Sequence, residues 1–279
     1  TRILISTGKV VAEGEVSQEI PANSEYPFVQ EIQVQNPELW SIDTPAMYKV
    51  RTFIKNQKGI CDIYETPFGI RQIRFDNDKG FLLNGRQTKM KGVCIHHDGG
   101  CLGAAVPVRA WERRLEILKS IGCNALRMSH NPPAQELLGL CDRMGFVVID
   151  ESFDKWEGKY GQWFPEWGQT DLLDMLRRDR NHPSVVLWSV GNEVGGQGSP
   201  KFMEQLKKLV TITHEFEPTR PVTCALKPFN IKSREENAKI ITEIARQVDV
   251  ISCNYQEQWF EDYRREYLEI IIIASASYP

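Results

Sequence analysis

The 279-residue sequence lacks most of the features that would assign it quickly. It has no paired CxxC: its seven cysteines, at 61, 94, 101, 123, 141, 224 and 253, are an odd number scattered singly. Several sit in apolar stretches such as GVCI and VTCAL, so they read as reduced core residues rather than disulfides or zinc ligands. No excess of either charge is present. A net charge of −3 supplies neither a basic stripe for phosphate backbones nor a polybasic helix for a membrane surface, so nucleic acid and membrane are not expected partners. No window approaches the roughly 18 apolar residues of a spanning helix. The opening TRILISTGKV has no n-region or h-region of a signal peptide and begins abruptly, as a fragment does. Compartment and oligomeric state stay open. Missing too are GxGxxG and GxxxxGK[ST] loops.

What is present has two rhythms. Residues 1–75 carry short alternating or β-branched runs, RILIST, FVQEIQVQ, MYKVRTFIKN and CDIYETPF, separated by turn-forming groups such as PANSEYP and NQKG. This predicts a partial immunoglobulin-like β-sandwich of four or five strands. Residues 76–89, within FDNDKGFLLNGRQ, read as a hairpin-like joint.

Residues 90–279 change to apolar runs of about five residues, each followed by a loop and a helical pattern. The runs are 92–96, 125–129, 146–150, 185–189, 221–225, 248–252 and 270–274. Trp111, Leu115, Leu118 and Ile121 share one predicted helical face; Leu137, Cys141 and Met144 share another. Starting about 30 residues apart on average, the runs match a (β/α)₈ TIM barrel of roughly 250 residues, with strands 1–7 present and the eighth unit absent. A doubly wound open sheet gives the same alternation, but no phosphate-binding loop follows any run.

Barrel chemistry sits where strands end. The predicted ends carry His96, His97 and Asp98; Arg127, His130 and Asn131; Asp150, Glu151 and Asp154; Asn192 and Glu193; and Asn254, Tyr255 and Glu257. Each alone is an ordinary rim residue, whereas polar groups from five ends favour a pocket. WSVGNEVGG (188–196) is the most specific stretch. An apolar strand runs into Gly191, an amide and a carboxylate, which puts Glu193 at a pocket floor where it can donate a proton to a leaving group.

NPELWSIDTPAMYKV, YETPFGIRQIRFDNDKGFLLNGRQTKMKGVCIHHD, NALRMSHNPP, VVIDESFD, RDRNHPSVVLWSVGNE and DVISCNYQE, in this order, resemble glycoside hydrolase family 2, within it the shorter β-galactosidases. The resemblance covers essentially the whole chain. It implies a retaining hydrolase of β-galactosides that needs no cofactor, with structural or activating magnesium or sodium left open. Glu193 would be the acid/base and Asn192 a contact to the sugar 2-hydroxyl. His96, His130 and Asn131 would touch sugar, Arg127 would support the second carboxylate, and Tyr255 would hydrogen-bond it. Asp154 and Trp163 join the substrate-binding set, Trp163 with Trp156 and Trp167 in a loop where core packing and sugar stacking are equally plausible roles.

A retaining glycosidase needs two carboxyl groups about 5–5.5 Å apart. In the family the attacking one stands in a stretch resembling IIGSETYP; laid on IIIASASYP, it falls on Ala276, 83 residues after Glu193. The chain is therefore expected to lack its nucleophile and to bind an oligosaccharide or polysaccharide β-galactoside without turning it over. Two rival classes remain: a metal-dependent barrel hydrolase, weakened because adjacent His96 and His97 point to opposite sides of a strand, and a carbohydrate-binding protein without turnover. Within the family, β-glucuronidase and β-mannosidase are alternatives, although the Asn-x-Lys pair of the glucuronidase branch has no counterpart in these loops.

Overall fold

The computed structural model of the chain describes residues 1–228 and 233–277. An antiparallel sheet comes first: β1 (Arg2–Ile5), β2 (Val10–Glu13), β3 (Tyr48–Asn56) and β4 (Gly59–Phe68), in the order β2-β1-β3-β4. The β3–β4 turn is closed by the Asn56 side chain, which accepts from Lys58 N at 2.8 Å, and by Gly59 at φ 122°. A small sheet of β5 (Ile73–Asp76), β6 (Gly80–Leu83) and β7 (Arg86–Gln87) follows. Asp76 Oδ1 accepts from Asp78 N and Lys79 N, both at 3.0 Å, and fixes the β5–β6 turn.

Seven parallel strands then form one curled sheet in chain order: β8 (Gly92–His96), β9 (Ala125–Ser129), β10 (Val147–Glu151), β11 (Val185–Asn192), β12 (Val222–Leu226), β13 (Ile251–Asn254) and β14 (Ile272–Ala276). Between them run α1 (Val108–Ser120), α2 (Gln135–Met144), α3 (Phe164–Asp179), α4 (Pro200–Phe216), α5 (Arg234–Ala245) and α6 (Phe260–Glu266). The curl brings the first and last strands together, where Cys94 Sγ donates to Ser275 O at 3.3 Å.

Side-chain alternation divides each strand between two apolar layers. Leu126, Met128, Val148 and Trp188 face outward and pack with the helices, whereas Ala125, Val147 and Leu187 face inward and join Trp40, Phe81 and Leu83 from the N-terminal part. All eight residues of β11 are buried, the mark of a strand covered on both faces. Trp40 anchors the junction, its Nε1 donating to Asp142 O at 2.8 Å. At the same junction Gly69 packs so closely that an added Cβ would lie 2.7 Å from the Pro183 ring.

Three expectations need correction. FVQEIQVQ (28–35) forms no strand, despite its alternation. Periodicity only allows a strand; hydrogen-bonded neighbours make one, and the sheet order leaves this segment unpaired. Ile121 does not share the buried face of α1: it caps the helix and is 74% exposed. The last strands begin later than the apolar runs suggest, β13 at Ile251 and β14 at Ile272, because residues 248–250 and 270–271 complete the preceding loops.

Candidate active site

At the C-terminal ends of the parallel strands the inward positions turn from apolar to polar. On β9 the inward series passes from Ala125 to Arg127, which is 3% exposed. Its Nη2 donates to Glu151 Oε2 at 2.8 Å and to Asn192 Oδ1 at 2.8 Å, and its Nη1 to Asn254 Oδ1 at 3.2 Å. One guanidinium thereby ties β9 to the ends of β10, β11 and β13. Burial opposes the arginine's charge, but the Glu151 carboxylate outweighs it and holds the Arg127 pKa above its ordinary value. Glu151, fully buried, also accepts from Ser189 Oγ at 2.6 Å and pairs with His130 Nδ1 at 2.6 Å.

Asn192 passes the network on, its Nδ2 donating to Asp154 Oδ1 at 2.9 Å. Lys155 Nζ reaches the same carboxylate oxygen at 2.6 Å and Asn192 O at 2.9 Å. Burial raises the Asp154 pKa, yet the bonds from Asn192 and Lys155 win, and the carboxyl is held below its usual range.

Glu193 leaves β11 with φ 47°, its backbone N donating to Ala225 O at 2.7 Å. Tyr255 leaves β13 similarly, at φ 57°, with its N donating to Ala276 O at 2.7 Å. Left-handed backbone at a non-glycine residue costs about 1–3 kcal/mol and persists where the surroundings impose it; apart from three asparagines elsewhere, Glu193 and Tyr255 are the described residues that adopt it, and both lie at this mouth. Between them stands Asn254. Its Nδ2 donates to Glu193 Oε1 at 2.8 Å and to Asn192 Oδ1 at 3.0 Å, while its Oδ1 accepts from Ser275 Oγ at 2.7 Å. A single amide thus joins Glu193 to the residue preceding Ala276.

Of the residues singled out in the sequence, Arg127, His130, Asp154, Asn192 and Glu193 belong to one hydrogen-bonded cluster. Tyr255 and the half-buried Ala276 meet through their backbones beside it. His96 is exposed and sets its ring edge-to-face on His130, centroids 5.2 Å apart. Asn131 stands apart, exposed, its side chain donating to Pro132 O at 3.2 Å. Trp163 is 65% exposed at the start of α3, whereas Trp156 belongs to the core: it stacks on Phe164 and Phe202, and its Nε1 donates to Val190 O at 2.8 Å.

Asp150 does not join the strand-end set as expected. It points outward from β10, fully buried, and faces Asp179. Burial first, then the Asp179 carboxyl, raises its pKa well above the usual range. The sequence reading gave no role to Ser189, Lys155, Asn254 or Ser275. Asn254 stood at a predicted strand end, a signal that was available; Ser189, inside an apolar strand, carried none. Among the described residues no three His, Cys, Asp or Glu side chains are grouped to hold a metal ion. Tyr278 and Pro279, which close IIIASASYP, lie outside the described residues.

A curled parallel barrel sheet behind a partial sandwich, with its polar cluster at the strand C-termini, narrows the class to barrel proteins of this two-part plan. The model of the glycosyl hydrolases family 2 TIM barrel domain matches residues 74–271, and that of the preceding glycosyl hydrolases family 2 domain matches residues 1–71. The chain belongs to glycosyl hydrolases family 2. It is 44% identical to the β-galactosidase BoGH2A of Bacteroides ovatus, an alignment covering 90% of this chain and 33% of that protein. It is 33% identical to the β-glucuronidase of Mus musculus, over 97% of this chain and 39% of that protein. A crystal structure of a family 2 member from Bacteroides cellulosilyticus superposes with a TM-score of 0.92 at 38% identity, covering 99% of this chain and 37% of that one. The chain therefore spans about a third of the length of the curated relatives it matches.

Proposed function

We propose that this chain forms the catalytic-barrel portion of a retaining β-galactosidase in which Ala276 replaces the nucleophile. Glu193 is the acid/base. It protonates the glycosidic oxygen as the bond to the anomeric carbon breaks, and would later take a proton from the water that releases the sugar. In a complete site a carboxylate at 276 attacks the anomeric carbon. The alanine methyl cannot, so no covalent glycosyl intermediate forms and turnover falls by about 10⁴-fold or more. The observation that carries this reading is Asn254, whose amide lies within hydrogen-bond distance of both Glu193 and Ser275. That places the ends of β11 and β14 around one small space, as a pair of carboxylates acting on one anomeric centre requires. Asn192, fixed by Arg127 and Asp154, is set to contact the 2-hydroxyl, with His96, His130 and Trp163 at the rim.

The β-glucuronidase relative favours a second reading in which the sugar is a uronide. One experiment addresses both. In a protein of the relatives' full length, Ala276→Glu should raise hydrolysis of an aryl β-galactoside by several orders of magnitude, and Glu193→Gln on that background should abolish the gain with a poor leaving group. A larger gain on the aryl β-glucuronide would transfer the assignment to uronides. Without mutation, azide entering beside Ala276 should attack the activated aryl galactoside from the opposite face and yield the α-galactosyl azide. If Ala276→Glu gives no hydrolysis of any aryl glycoside and azide gives no product, the chain is a carbohydrate-binding protein.

A further inference from the structure

We propose that the cleft between the N-terminal sandwich and the lower end of the barrel binds a phosphate or sulfate group. This site is distinct from the mouth: β11 runs from Val185 at the cleft to Asn192 at the mouth, a separation of roughly 23 Å at strand rise.

The cleft has a volume of about 380 Å³, and Arg71, Arg180 and Arg220 line it with Asn181 and Thr219. The arginines come from three parts of the chain: Arg71 just after β4, Arg180 at the end of α3, and Arg220 just before β12. Arg71 is anchored by backbone oxygens, with Nε donating to Pro183 O at 2.5 Å and Nη2 to Val185 O. Arg220 Nε donates to Val185 O at 2.8 Å and its Nη2 to Arg180 O at 2.8 Å, so both side chains are held in place before any ligand arrives. Arg180 lies over the Phe216 ring, 5.5 Å from its centroid.

These charges are poorly balanced. Glu217 is the carboxylate within ion-pair distance of Arg220, at 3.3 Å, and it is already occupied by Trp188 Nε1 at 2.8 Å and by Thr219. Among the described residues no carboxylate forms an ion pair with Arg71 or Arg180. Burial, then the charge of Arg220, pushes the Arg71 guanidinium down to about 9, with Glu217 and Asp142 offsetting part of the shift. Three guanidinium groups, with Glu217 the one carboxylate in ion-pair contact among the described residues and Asp142 acting from further off, suit, beside a hydroxyl and an amide, a ligand with three or four oxygens. Planar guanidinium forks recognise phosphate and sulfate by paired hydrogen bonds. The volume leaves room for a sugar carrying the group as well as for the free ion.

Titration of the full chain with inorganic phosphate and sulfate, at constant ionic strength against chloride, tests the site by calorimetry and thermal melting. Saturable binding at millimolar concentrations or below is expected. Arg180→Gln should weaken it at least tenfold while changing the melting temperature in chloride little, because among the described residues this side chain forms no hydrogen bond and loses only its contact with the Phe216 ring. Arg71→Met should abolish it. Galactose 6-sulfate in a parallel titration separates the sources: tighter binding than inorganic sulfate identifies an esterified group, and weaker binding identifies the free ion. A melting temperature that rises linearly without saturation, as in a general salt effect, or equal binding by Arg180→Gln, would overturn the proposal.

Discussion

Arg127 at the mouth of the barrel and Arg71 at its lower end are both largely withdrawn from water, yet their pKa values move in opposite directions. Arg127 has a fully buried carboxylate, Glu151, at 2.8 Å, and donates to two amide oxygens as well, leaving its Nε without a hydrogen-bond partner among the described residues. Arg71 is held by backbone carbonyls beside a second arginine; Glu217 and Asp142 act on it from a distance, and among the described residues no carboxylate is in ion-pair contact with it. At the mouth, charge is balanced internally, and the balance fixes the orientation of Asn192 and Asn254, the two amides nearest Glu193. At the lower end the balance is left incomplete, which is tolerable for stability because carbonyl dipoles solvate the cation and Glu217 and Asp142 offset part of its charge, and which leaves that end disposed to take an anion.

The largest expected effect comes from breaking the balanced end. Arg127→Met leaves the buried Glu151 without its guanidinium partner, and removing one partner of a buried pair costs about 3–5 kcal/mol. Urea unfolding should show that loss, and Arg127→Met combined with Glu151→Gln should recover much of it. A single variant as stable as the parent would mean that the mouth is far wetter than its burial implies.

Next comes Asp150, on the opposite face of β10 from Glu151. Neither of its carboxyl oxygens meets a hydrogen-bond donor among the described residues, and Asp179 lies against it. Keeping its proton lets Asp150 donate to Asp179. Its folded pKa is raised, so the associated stability is fully present below the unfolded carboxyl pKa of about 4 and is lost as pH climbs toward the folded value, by up to about 1.4 kcal/mol per pH unit. Asp150→Asn removes that titration. The stability of the parent should fall relative to the variant between pH 4 and 6, and parallel curves would exclude the retained proton.

Arg71→Met should cost less than Arg127→Met, about 1–2 kcal/mol in urea without added phosphate. Hydrogen bonds from a charged donor to the Pro183 and Val185 carbonyls are lost, but a poorly compensated buried cation is removed with them. Equal losses for the two arginines would dissolve the contrast between the ends.

The same contrast shows what could be read from the sequence. β11 was legible because VVLWSVGN is buried on both faces and then stops at an amide and a carboxylate, so apolar run and chemistry change at one point. The segment 28–35 misled because alternation is equally compatible with an extended, unpaired stretch. At the site, Asn192 and Glu193 were visible as strand-end residues, but Ser189 lies inside an apolar run, and only the inward direction of its side chain brings it to Glu151. The place of Asn131 was not legible for a related reason: past the end of β9 the strict alternation ceases, and His130 reaches Glu151 whereas Asn131 donates to Pro132 O. Nor did any motif announce the arginine cleft, since Arg71, Arg180 and Arg220 meet only after the sandwich has docked on the barrel.

Asp154 provides the smallest test, and it has the opposite sign to Asp150 only four residues away. Its folded pKa is depressed, so its contribution is present above the unfolded carboxyl pKa and is lost as pH falls through the folded one. Because the Asp154 side chain is 33% exposed and that of its partner Lys155 27% exposed, solvent screening reduces the value to about 0.5–1 kcal/mol. Asp154→Ala should therefore shift the urea midpoint slightly at pH 7 and hardly at all at pH 3. Its effect on sugar binding should be larger than that on stability, since Asn192 then loses the acceptor that orients its amide. A midpoint shift as large at pH 3 as at pH 7 would show that packing, not charge, is what Asp154 supplies to the mouth.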